Sequence, residues 1–235
     1  MRTARSAVEE AREANHALSL CYALAHAACP TMLWVEDLAA PESKILMLLD
    51  LSTRHAFPSW GALGRAFQGM LAIKRGDVEP GLRLLRAGFD EFCAAMSDWI
   101  SVVFLTERAA AFGRAGQITE GLTAAEQAIE RAEHTEARWF FPESLRIKGG
   151  LLLLQAADGA VAAAEAHFRQ ALDWARRQGA LALELRAATS LARLVRNEGR
   201  TADAVVILQP IYDRFTEGFD TADLKSAKAL LDDLG

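Results

Sequence analysis

The sequence predicts an all-α chain, a solenoid of antiparallel helix hairpins, and three observations carry that prediction. Ala and Leu dominate the 235 residues, Pro is scarce and Tyr occurs only twice, a balance that favours helix over sheet. Glycines at 76, 116, 159 and 199 recur at intervals of 40, 43 and 40. Behind each glycine comes the same pattern of a small, an apolar and a small residue, spaced to lie on one helix face. The copies read Gly81, Leu85 and Gly88; Gly121, Ala125 and Ala128; Ala164, Phe168 and Ala171; and Ala204, Leu208 and Ile211, where the last position is no longer small. Small residues let a second helix approach closely, and the apolar one fills the remaining gap.

The elements follow in order. Ala4, Val8 and Ala11 repeat the face pattern weakly, so residues 3–14 read as the second helix of a hairpin whose first helix is absent. A solenoid end normally needs a polar cap, so this start predicts the C-terminal part of a larger protein, or a remnant of one. The alternative is that the first helix simply caps the array. Residues 17–29 faintly resemble a secretory apolar run, but Glu9, Glu10 and Glu13 interrupt the basic stretch before it and His26 the run itself. No uninterrupted run of 18 apolar residues occurs, which argues against a membrane span. Pro41, Ile45 and Leu48 are the next register set, one period before Gly81.

Each later period contains a first helix, a glycine turn and a second helix. Apolar spacing predicts first helices over Pro58–Lys74, Trp99–Arg114, Phe141–Gln155 and Leu181–Asn197. Trp60, Trp99 and Trp139–Phe140 mark their starts, and Pro58 and Pro142 suit a first helical turn. Second helices are expected from near 4, 41, 81, 121, 164 and 204. The longer interval before Gly159 predicts a longer turn holding Ala156, Ala157 and Asp158. Pro210 should kink or end the last second helix. Asp220 or Thr221 can cap a final helix over 221–233, with Leu224, Ala227, Leu230 and Leu231 as its apolar stripe. Asp232 and Asp233 lie unfavourably near its C-terminus. The whole, residues 1–235, reads as one repeat domain of about 11–12 helices.

These residues resemble the tetratricopeptide repeat, in a long-helix variant of about 40 residues. Residues 56–235, about three quarters of the chain, look like the C-terminal repeat region of bacterial multidomain signalling proteins. Those proteins carry a signal-transduction ATPase module, often behind a nucleotide cyclase or a DNA-binding effector domain. The carrying stretches are G-R-A-F-Q-G-M-L-A at 64–72, E-L-R-A-A-T-S-L-A-R-L at 184–194 and F-T-E-G-F-D-T-A-D-L-K-S-A-K-A-L-L at 215–231. The resemblance implies a right-handed superhelix and a protein-interaction or sensor role without catalysis. The family's nucleotide-binding and effector domains are not in this sequence.

Composition bounds the partners. A net charge of −5 gives no general attraction to nucleic acid or anionic membrane. Cys21, Cys29 and Cys93 lie in apolar helical runs and read as buried free thiols of a reducing compartment, with the cytoplasm as the expectation. The chain has no G-x-x-x-x-G-K-[ST] and no G-x-S-x-G. His16, His26, His55, His134 and His167 form no ligand-spaced pair. Asp90–Glu91 and Asp232–Asp233 are adjacent and diverge on a helix. The expectation is therefore no enzyme, no cofactor and no metal.

Solenoids of this kind line a concave groove with their first helices. The register assigns Leu63, Ala66, Met70 and Ile73, then Val103, Thr106 and Ala110, then Arg186, Thr189, Arg193 and Arg196 to that groove. The first two sets are mostly apolar and the last is basic. The three arginines could receive an acidic peptide. Against this stands neutralisation within the chain. Glu184 is too close to Arg186 and too far from Arg193 for a helical pair, so the carboxylates must come from adjacent helices. The expected partner is a protein or peptide, with an ATPase or effector domain as the first candidate and a homodimer left open. The alternatives are a small-molecule sensor using the apolar groove around Met70 and Ile73, and a free-standing adaptor for acidic peptides.

Overall fold

The computed structural model describes residues 2–34, 38–95, 100–135 and 138–235. Cys93 and Trp99, both singled out above, fall outside the described side chains, as does Ala4. Among the described residues all regular elements are helices and none is a strand. The chain divides into two compact units, Met1–Asp98 and Trp99–Gly235.

The first unit contains α1 (Arg2–Glu13), α2 (Ala17–Ala23), a π-helical turn (Leu24–Ala28), α3 (Cys29–Trp34), α4 (Pro41–Arg54), α5 (Pro58–Arg75) and α6 (Val78–Ala95). Pro30 explains the π turn. It has no N–H for the carbonyl of His26, and a locally wider helix takes up the mismatch, with Cys29 N–H reaching back to Leu24 O. Ala17–Trp34 is the one described helix long and apolar enough, by length and composition, to cross a membrane, and half of it is buried inside this unit. Cys21 and Cys29 are free and buried, and burial pushes the Cys29 thiol up to about 12. His26, in the π turn, stands against the rings of Tyr22, 4.2 Å away, and Trp60, 5.6 Å away.

α5 is the axis of this unit, packed by α3, the π turn, α4 and α6. Its run from Gly61 to Ile73 is apolar almost all round, as a surrounded helix must be. Against α6 the two backbones touch. A Cβ on Gly69 would lie 2.4 Å from Leu85 N, and one on Gly88 2.5 Å from Ala62 O. The register positions Gly81 and Gly88 are small because the α5 backbone occupies the space a side chain would need.

The second unit contains α7 (Ser101–Arg114), α8 (Ile118–His134), a 3-10 turn (Arg138–Phe140), α9 (Phe141–Gln155), α10 (Ala160–Arg177), α11 (Leu181–Asn197), α12 (Thr201–Tyr212) and α13 (Ala222–Leu234). α7, α9, α11 and α13 pack in series, each on the next. α8, α10 and α12 each pack on both of their sequence neighbours. The four predicted first helices are thus present as α5, α7, α9 and α11, within two residues of the expected ends. Register residues Ala125, Ala128, Ala164, Phe168, Ala171, Ala204, Leu208 and Ile211 are all buried. Phe168 fills the hollow over Gly149, where a Cβ would stand 2.6 Å from its ring.

The register glycines are of two kinds. Gly76, Gly116 and Gly199 take positive φ (102°, 75° and 78°) and close the preceding helix with paired backbone bonds. At the first, Gly76 N–H donates to Ile73 O at 3.1 Å and Asp77 N–H to Ala72 O at 2.9 Å. That is the Schellman closure, which favours glycine. Gly179, which the register passed over, closes α10 in the same way. Gly159 does not: it stands at the N-cap of α10, and Ala156 takes the left-handed position after α9 with φ 52°. The longer interval is therefore a longer turn over residues 156–159, where the sequence puts it. α12 ends two residues beyond Pro210. Thr221 is the N-cap of α13, but its hydroxyl donates to Gly218 O and not to the helix.

Candidate functional site

The apolar groove assignment does not survive. Leu63, Ala66, Met70, Ile73, Val103 and Thr106 are each no more than 3% exposed. The physical reason is that the open stripe of α5 runs along Arg65, Gln68 and Ala72, and the assigned positions lie off it. Ala66 lies under Gly88 and Ile73 against Gly81, so both face the hairpin partner α6. Thr106 shares a 2.7 Å hydrogen bond with Ser144 of α9 and donates to Val102 O, so it is a contact between first helices. Ala110 is only partly buried. Thr189 is buried too, and its hydroxyl donates to Leu185 O of its own helix.

The arginines of α11 meet groups from adjacent helices of the same chain. Glu143 and Arg146, three apart on α9, form a two-bond pair at 2.8 and 2.7 Å. Arg146 also reaches Ser190 of α11 at 3.4 Å. Arg186 stands between helices, its Nε donating to Asp223 of α13 at 2.7 Å and its Nη1 to Glu143 at 3.5 Å. Further along α11, Arg193 donates to the Ser226 hydroxyl, and Arg196 to Asp233 at 2.5 Å. A charged row thus joins α9, α11 and α13. It is deepest at Glu143 (side chain 7% exposed) and Arg186 (16%) and opens toward Asp233 (66%).

The electrostatics divide the three arginines. Burial pulls the Arg186 guanidinium down, but the Glu143 and Asp223 carboxylates raise it well above its ordinary value and keep it charged. Arg146 follows the same pattern through Glu143. Arg193 goes the other way. Burial lowers it, and the neighbouring positive charges of Arg196 and Arg146 lower it further. It bonds a hydroxyl, where Arg186 and Arg196 meet carboxylates.

Glu143, Arg146, Asp223, Ser226 and Asp233 were not assigned to the groove from sequence. The available signal was the Glu143–Arg146 spacing of three on one helix face. Asp233 has a use after all: its charge, unfavourable for the helix dipole, is met by Arg196, and Asp232 by Lys228. Glu184, 2% exposed, serves elsewhere, accepting from Arg176 at 3.1 Å and Arg214 at 2.6 Å and so tying α10 and the turn after α12 to the start of α11. Among the described residues no three His, Cys, Asp or Glu side chains are grouped to hold a metal ion. Compared with protein-family models and with curated proteins, the chain matches none.

Proposed function

We propose that this chain is a non-catalytic protein-interaction module, the tetratricopeptide-like C-terminal repeat region of a bacterial signal-transduction protein acting in the cytoplasm. The observation that carries the reading lies within Trp99–Gly235. There α7, α9, α11 and α13 form a continuous row, backed by α8, α10 and α12, and the row carries a line of charged side chains across three helices. In a right-handed repeat superhelix such a row is the concave side, the surface that recognises partners. The four-fold glycine register and the stretches at 184–194 and 215–231 support the same family.

The partner class that fits is an ATPase or effector domain that offers carboxylates. Expressed with an ATPase or effector domain found encoded near it, the full chain should co-elute as a complex, and Arg193→Glu should weaken that complex at least about tenfold. Absence of association with any adjacent ATPase or effector domain would remove the main support. The adaptor reading, in which the chain works alone on acidic peptides, draws on the same Arg193 and differs only in the source of the carboxylates. The small-molecule sensor reading loses its lining, since Met70 and Ile73 are interior.

A further inference from the structure

We infer that the α11 face carrying Arg186, Arg193 and Arg196 is a docking site for an acidic amphipathic helix, and that α13 fills it in the free chain as an internal stand-in. This rests on the interaction-module reading and goes beyond it by naming the occupant and the competitor. The match between the two helices is the first ground. Arg186, Arg193 and Arg196 meet Asp223, Ser226 and Asp233 in that order. Both rows span the same length of helix, and on each helix the three positions share one face. Leu224, Ala227 and Leu230 supply the buried apolar anchor beside them.

The second ground is how lightly α13 is held. It packs on α11 and α12 alone among the contacts of any extent, and it follows the non-helical segment 213–221. Helices with few packing neighbours and a short apolar anchor open at lower free energy than the core. Its polar contacts also weaken along the row, because the Arg196–Asp233 pair is largely exposed.

The third ground is the mismatch at Arg193. There α13 offers a hydroxyl to a guanidinium that sits near two other cations. A helix with a carboxylate at the Ser226 position would form an ion pair there, which the hydroxyl of α13 cannot. That gain is what an outside helix needs, since α13 competes at high effective concentration. The fitting partner therefore presents carboxylates at positions i, i+3 and i+10, with apolar residues at i+1, i+4 and i+7.

The test uses the full chain and a labelled peptide of residues 219–235, read by fluorescence anisotropy. Asp223→Lys with Asp233→Lys in the chain breaks the hold of α13, and this variant should bind the peptide at least about tenfold tighter than the unaltered chain. A peptide with Ser226→Glu should bind the variant about threefold to tenfold tighter again, and Arg193→Glu in the chain should erase that increment. No peptide binding by the opened variant overturns the docking site. Equal affinity of the two peptides overturns the carboxylate requirement. A second measurement does not depend on opening the chain: Ser226→Glu in the chain itself should raise amide-exchange protection of α13, and unchanged protection counts against the inference. Failure here leaves the association with an ATPase or effector domain untouched, so the two readings fall separately.

Discussion

Two helix crossings in this molecule are held by opposite means. α5 and α6 meet backbone to backbone, through Gly69, Gly81 and Gly88 against Ala62, Ala66 and Leu85. α11 and α13 meet through long side chains, three arginines against two carboxylates and a hydroxyl, over a thin apolar anchor. The first contact gains dispersion from close approach and leaves no room for change. The second gains little net free energy from its exposed Arg196–Asp233 pair and can be undone without any clash. One crossing is built to stay shut. The other is built from groups that a different helix could supply.

The largest expected effect tests the first half of that contrast. Gly69→Ala places a Cβ 2.4 Å from Leu85 N and 2.7 Å from Gly81 O, and both are backbone atoms that no rotamer change can move. The helices must separate, and the loss should be about 3 kcal/mol or more, seen as a lowered denaturant midpoint. A loss under about 1 kcal/mol would mean that the crossing is looser than its geometry.

The glycine pattern was legible because it is local. A turn glycine and three residues on the following helix face fall within one short stretch, and each is small or apolar for a reason visible in that stretch alone. The charged row was not legible, although Arg186, Arg193 and Arg196 were seen to share a face. Their partners come from α9 and α13, and Asp223 stands 37 residues away from Arg186. No helical spacing reports such a pair. The apolar groove was misassigned for a related reason. Periodicity shows that Ala66 and Ile73 face something, but it cannot say whether that is solvent or the glycines of α6. Gly159 shows a milder form of the same limit: its spacing marks a turn, and only the backbone shows that Ala156 bears the left-handed conformation.

Arg186→Ala should produce the next largest effect. It takes the close guanidinium from Asp223, while Glu143 keeps its two-bond pair with Arg146, and a partly buried carboxylate stripped of such a partner costs about 1–2 kcal/mol. Arg186→Met sharpens the result by keeping most of the packing. If both variants lose the same stability, the charge was the part that counted; if Met restores it, the stem was.

Gly150→Ala provides the counterpart to Gly69→Ala on a smaller scale. Gly150 lies inside α9, and a Cβ there meets nothing within 4 Å. Freed from any clash, the change should stabilise the chain by about 0.5–1 kcal/mol through helix propensity alone. A loss instead would show that α9 glycines matter for something other than space.

The smallest effect belongs to the open end of the charged row. The Arg196–Asp233 pair is 2.5 Å long, but Asp233 is 66% exposed, so water screens most of its attraction. Arg196→Ala should cost under about 0.5 kcal/mol at physiological salt, and the difference should vanish near 1 M salt, where the screening length is about 3 Å. Gly69→Ala should keep its full cost in the same salt series, because steric overlap does not depend on ions. If Arg196→Ala cost more than about 1 kcal/mol and resisted salt, the α11–α13 crossing would be as fixed as α5–α6, and α13 would be core rather than a replaceable occupant.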